Sequence, residues 1–177
     1  MRLSMWTSIL VELPPAEACA RLAEQGWEGL ELSTEHIVAV ENAPEPLAAA
    51  DEVRAVLDAC PAEMPQVHLL ISANVPAADE AKRLEFMATL KRQIALSARM
   101  GIRTGVIHPG GERASTFAEE LSERRRRVEG FRELADYAAE HDFSLAIENM
   151  TDGARDCRSA IGQRRYGATI EDLHTLI

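Results

Sequence analysis

Short apolar runs and longer amphipathic stretches alternate along the whole chain, and this alternation limits its fold more than any other feature. Leu3 to Trp6 is a strand-length run. Pro14 and Pro15 open a helix through Glu17 to Gln25, because proline suits a first helical turn, and Gly26 stops it. Gly29 to Ser33 reads as a second strand with Leu30 and Leu32 on one face. A loop carrying His36, Pro44 and Pro46 leads to a helix over about Ala48 to Ala59, in which Val53, Val56 and Leu57 fall in register. Pro61 and Pro65 bracket the turn into a third strand, Gln66 to Leu70. The next helix, about Asp79 to Met100, spaces Leu84, Met87, Ile94 and Leu96 at a helical period, and Gly101 caps it. Thr104 to His108 is a fourth strand, ended by Pro109, Gly110 and Gly111. A long charged helix over about Thr116 to His141 precedes the fifth strand, Phe143 to Asn149. A short helix is expected over about Thr169 to Ile177.

Strict repetition of strand and helix predicts an α/β fold, with a parallel sheet covered by helices. Neither a Gly-x-Gly-x-x-Gly turn after the first strand nor a Walker phosphate loop is present, so the dinucleotide-binding and nucleotide-hydrolysing versions have no support. A chain of 177 residues with 46% apolar and 27% charged composition is long and apolar enough for one cored domain, which excludes disorder and disulfide scaffolds. Its net charge of −10, from 19 basic and 29 acidic side chains, repels phosphate backbones and anionic membranes. Cys19, Cys60 and Cys157 show no paired spacing, which suits a reducing compartment. No apolar leader segment follows Met1, and no run approaches the roughly 18–20 residues of a membrane span. The expectation is a cytoplasmic protein with no membrane partner, its charge disfavouring nucleic acid as a partner.

Three strands finish on residues that a packed core would not select. His68 lies in the third, His108 ends the fourth, and Glu148 with Asn149 ends the fifth. In a parallel barrel the groups that do chemistry sit at the carboxyl ends of the strands. Neighbouring strands lie about 4.8 Å apart, so three consecutive ends can converge on one ion. Two imidazoles and a carboxylate suit zinc or a similar divalent metal and leave a position open for water or substrate. Each residue alone also fits a hydrogen-bonded core position, but the three together at successive strand ends favour the metal.

These residues resemble the xylose-isomerase-like (β/α)8 barrels, which include sugar-phosphate isomerases, epimerases and the endonuclease IV type of DNA-repair enzyme. The carriers are Val67-His68 with Asn74 six residues on, Val106-Ile107-His108-Pro109-Gly110, and Ala146-Ile147-Glu148-Asn149. The resemblance implies a partial TIM barrel of about five parallel strands alternating with helices. On it, residues 1–177 form a single domain, incomplete at the C-terminus. It implies that Glu148 is the fifth-strand carboxylate of a catalytic metal site, holding Zn, Mn, Mg or Co, and that His68 and His108 share the ion as in the endonuclease IV branch. The later aspartate, histidine and carboxylate of the family pattern have no counterpart here. The implied activity is metal-dependent isomerisation or epimerisation of a sugar or sugar phosphate, by proton transfer next to a carbonyl. A zinc-dependent abasic-site endonuclease is the alternative, and a non-catalytic partial barrel that binds a ligand or partner is the third reading. A second copy of the chain is a candidate partner beside the sugar.

Further residues complete the expected site. Trp6 offers an aromatic face for a sugar ring, or core packing. Glu31 ends the second strand as a substrate-facing group or an exposed carboxylate, and His36 in the following loop is a weaker candidate. Asn74 is expected to order its loop and contact substrate, and Asn149 to orient Glu148 or bind substrate directly. Arg155 and Arg158 emerge after the fifth strand as candidate phosphate ligands. The run Arg124 to Arg127, flanked by Glu119, Glu120, Glu123 and Glu129, reads as a solvated helix face of (i, i+4) ion pairs.

Overall fold

The computed structural model describes residues 3–111, 116–150, 167, 170–174 and 176. Strands β1 (Ser4–Trp6), β2 (Gly29–Leu32), β3 (Glu63–His68), β4 (Thr104–Ile107) and β5 (Ser144–Ile147) form one sheet in the order β1-β2-β3-β4-β5. All four pairings are parallel. Helices α1 (Pro15–Glu24), α2 (Thr34–Glu41), α3 (Pro46–Ala59), α4 (Glu80–Arg99) and α5 (Phe117–Glu140) lie between the strands, and α6 (Ile170–His174) follows β5. When each strand pairs with the next and every crossover has the same hand, the helices collect on one face of the sheet. That is how part of a TIM barrel is built, whereas a doubly wound sheet carries helices on both faces.

Strand alternation sorts the two faces chemically. Toward the helices, Leu30, Leu32, Val67, Leu69 and Ile107 are buried and join Leu22, Ile37, Val53, Leu90, Ile94 and Leu134 in one core. The opposite face carries Glu31, Gln66, Thr104, Val106 and Ser144, none of them buried. Gly105 allows the close packing on the helix side: a Cβ there would lie 2.8 Å from the Phe143 ring and 2.9 Å from Leu69. The helices begin where their first amides find acceptors. Asp79 caps α4 through the Lys82 amide at 3.1 Å, and Thr116 with Glu119 forms a reciprocal capping box on α5. Among the described residues, no helix is long and apolar enough to cross a membrane.

Three local readings need correction. The segment after β2, expected to be a loop, contains α2, capped by Ser33, whose hydroxyl accepts from the His36 amide. Pro65 lies inside β3 rather than in the turn before it. The β2–β3 register moves from Gly29↔Glu63 to Glu31↔Gln66, so β3 carries an extra residue there, and a bulge is where a strand tolerates a residue without an amide hydrogen. The arginine run is only partly solvated: Arg125 makes the expected (i, i+4) pair with Glu129, but Arg127 is 2% exposed.

Candidate metal centre

Register brings the three strand ends together. His68 on β3 pairs with Val106, which leaves His108 two residues further on, just past the end of β4. On the other side Ile107 pairs with Ile147, and the Glu148 amide continues the ladder to the Ile107 carbonyl at 2.9 Å. Glu148 Oε2 then lies 3.1 Å from His68 Nε2 and 3.0 Å from His108 Nε2. The imidazole rings meet edge to face with centroids 5.1 Å apart. The three candidate ligand atoms all lie within 4.8 Å of one another. His68 is buried, His108 half-buried and Glu148 exposed, so the cluster opens outward through the carboxylate.

Hydrogen bonding decides which His68 nitrogen is available. Nδ1 lies 3.1 Å from the Leu69 carbonyl, and only a protonated ring nitrogen can donate to it. In the neutral ring Nε2 therefore presents a lone pair toward the lone pairs of Glu148. Such a contact requires a proton or a cation between them. Anchoring the far nitrogen on a backbone carbonyl is also how a metal-binding histidine is oriented. Two imidazole nitrogens and a carboxylate oxygen are a donor set that fits a divalent transition metal.

Other candidates fall around this cluster at different distances. Trp6, 41% exposed, has its ring centroid 6.5 Å from that of His68 and borders the site. Glu31 pairs in register with Gln66 and accepts a 2.8 Å hydrogen bond from its amide, on the uncovered sheet face below His68. Asn74 Oδ1 accepts from the Gly111 amide at 2.9 Å, which ties the loop after β3 to the loop after β4. Asn149 is exposed beside Glu148. Arg155 and Arg158 lie outside the described residues. His36 is turned away into the fold, with Nδ1 2.7 Å from Thr7 Oγ1 and Nε2 3.2 Å from the Leu13 carbonyl.

Several supporting residues escaped the sequence reading. The Thr34 hydroxyl sits 3.1 Å from the His68 carbonyl and 2.5 Å from that of Leu69, so the first turn of α2 braces the end of β3. Buried Gln93 accepts from the Leu70 amide at 2.9 Å and donates to Glu41 at 2.9 Å. A serine–threonine–glutamate sequence directly after a strand is a helix-start signal and could have revealed α2. Gln93 carries no such signal, because its partners lie 23 and 52 residues away.

The family model described as xylose isomerase-like TIM barrel matches residues 19–177. No curated protein matches the chain. Among solved structures, a D-tagatose 3-epimerase-like protein superposes with a TM-score of 0.76 at 16% identity, over 100% of this chain and 60% of its own. D-psicose 3-epimerase, solved in the presence of D-fructose, gives 0.69 at 19% identity over 85% of this chain and 53% of its own. The 3-keto-D-glucoside 4-epimerase of E. coli gives 0.59 at 15% identity over 90% and 69%. At these identities the likeness is one of fold. The chain spans 53–60% of the length of the first two.

Proposed function

This chain belongs to the xylose isomerase-like TIM barrel family, and from that premise we propose that it is a metal-dependent sugar or sugar-phosphate isomerase or epimerase. The observation that carries the proposal is the convergence of His68, His108 and Glu148 at the carboxyl ends of three consecutive strands. Sugar epimerases with the same fold support the substrate class.

His68 and His108 would hold the ion through Nε2, and Glu148 through a carboxylate oxygen. A divalent metal bound there supplies Lewis acidity, which polarises carbonyl and hydroxyl oxygens and makes the adjacent carbon a stronger acid. The residues do the rest. Leu69 fixes the His68 ring through Nδ1. Glu148, open to solvent, would also be the carboxylate that faces the bound sugar. Trp6 gives an apolar ring face beside His68, suited to the C–H face of a sugar. Glu31 and Asn149 supply hydrogen-bond groups for hydroxyls, Asn74 holds the loops that border them, and Arg155 and Arg158 would receive a phosphate.

The test is exchange of solvent deuterium into a ketose in the presence of Mn, Co, Mg or Zn. Exchange is expected with the chain and not with Glu148→Ala; no exchange under any of these metals overturns the reading. The sharing of Glu148 by two histidines favours a second reading, a zinc-dependent abasic-site endonuclease, although the net charge of −10 opposes it. Nicking of abasic duplex, lost in His108→Ala, would select it. A chain that binds no stoichiometric metal and shows neither activity is a non-catalytic partial barrel.

A further inference from the structure

His68 ends β3 and His108 follows β4, and their rings must keep one separation for a single ion to join them. Three contacts outside the cluster fasten the loops that continue from these two strand ends to one helix and to each other. Arg127 of α5 donates from Nε to the carbonyl of Pro109, the residue after His108, at 3.3 Å. Its neighbour Arg126 donates from Nε to the carbonyl of Pro76, in the loop after β3, at 2.9 Å. Asn74 in that loop accepts from Gly111 in the other. Gly130, one turn along α5, lies so close to the β3 loop that a Cβ there would sit 2.5 Å from Val75.

Arg127 is the telling member. It is 2% exposed and its guanidinium pairs with Glu123, itself largely buried. An ion pair in such a place is rarely the most stable filling, since well-packed apolar residues of similar volume do as well or better. What the pair supplies and an apolar residue cannot is a directed donor to the Pro109 carbonyl. The turn it grips is sharply bent, with φ of +64° at Gly110 and +118° at Gly111. Without a fixed partner such a glycine turn has many alternatives.

We propose that Arg127 with Glu123, Arg126 and Asn74 form a clamp that locks the loops after β3 and β4 together and so sets the separation of His68 and His108. They are positioning residues, and the proposal rests on the reading of His68, His108 and Glu148 as metal ligands. Groups that orient ligands from outside typically change metal affinity 10–100-fold when removed.

Titration with Co(II), followed by the visible ligand-field spectrum, tests it without any activity assay. In Arg127→Met, cobalt affinity is expected to fall about 10–100-fold, with a changed spectrum. Arg127→Lys is expected to stay close to Arg127→Met, because a single ammonium cannot serve Glu123 and Pro109 in the fork geometry of arginine. Asn74→Ala, which removes a contact at the surface and leaves the core alone, is expected to weaken binding by about tenfold. It keeps the proposal testable should circular dichroism show the Arg127 variants unfolded. Wild-type affinity and spectrum in Asn74→Ala and in the folded Arg127 variants, with binding lost in His108→Ala, overturns the clamp and leaves the metal centre standing. Equal cobalt binding by the wild type and His108→Ala, or none by either, overturns the metal centre and the clamp with it.

Discussion

Two buried histidines, His36 and His68, show what separates a structural residue from a candidate ligand. Both follow or end a strand, and both are nearly inaccessible, at 1% and 8% exposure. At the joint of β2 and α2 the fold uses every polar atom of His36. Nε2 donates to the Leu13 carbonyl, Nδ1 accepts from the Thr7 hydroxyl, and Thr7 in turn accepts from the Ser33 amide at 2.9 Å. At the ends of β3 to β5 the fold uses only half of His68. Its Nδ1 goes to Leu69, and its Nε2 is turned toward Glu148 and the ring of His108. Burial alone therefore does not mark a site. The mark is a nitrogen that the backbone has left to another ligand-type side chain.

The sharpest way to break this contrast is to remove ligands from one region and core hydrogen bonds from the other. His68→Ala or Glu148→Ala is expected to weaken metal binding by more than about 100-fold, beyond the effect of any supporting contact. For Glu148→Ala the melting temperature of the metal-free chain should barely move, because that side chain is 44% exposed. Metal titration and thermal melts on the same samples check both halves.

His36→Ala should invert the pattern. Leaving the Leu13 carbonyl and Thr7 hydroxyl without their partner inside the fold, and opening a cavity, is expected to remove about 2–4 kcal/mol of stability. Metal affinity of the folded fraction should remain that of the wild type. A denaturant melt combined with the cobalt titration reads both.

A finer separation comes from pH. Burial pushes the His36 imidazole below its ordinary value of 6.5, against the pull of the Leu13 carbonyl and of the Glu35 and Glu12 charges. The folded state therefore holds its proton less tightly than the unfolded chain. Stability from this group is present above the unfolded value and declines as pH falls through it toward the lower folded value. Between about pH 7 and pH 5.5 the slope contributed by His36 cannot exceed about 1.4 kcal/mol per pH unit, the limit for one proton. His36→Gln is expected to lessen that slope in melts across the same window. The smallest effect should come from a site outside both regions. The Arg99 guanidinium holds the exposed Asp51 carboxyl below its usual range, but the pair is open to solvent, and Asp51→Asn should change neither melting nor metal affinity measurably.

Much of this was legible because it rests on short-range rules. The β/α repeat, the proline-started α1, and the polar residues at the strand ends all announce themselves within a few positions. Apart from α2, whose Ser33 cap lies right beside it, the misreadings came where a partner lay far off. Pro65 reads as a turn residue until β2 supplies the register shift that accommodates it. Arg127 sits in a run of arginines that looks uniformly solvated, and its burial depends on Glu123 and on a loop 18 residues away. The sequence ranks His36 below His68 only as a loop residue, and that both its nitrogens are taken up by Thr7 and Leu13 is decided in the fold.

The sequence by itself determined the alternation of five strands with helices, the apolar helix-facing side of the sheet, and which residue types stand at the strand ends. Those follow from period-2 and period-3.6 patterning and from proline, glycine and capping chemistry, all of which act between neighbours in the chain. Tertiary structure alone decided which histidine nitrogen stays available, which arginine is buried and which loops are held together. Those outcomes depend on register between strands and on side-chain contacts whose two ends lie as many as 80 residues apart, as in the contact between His68 and Glu148.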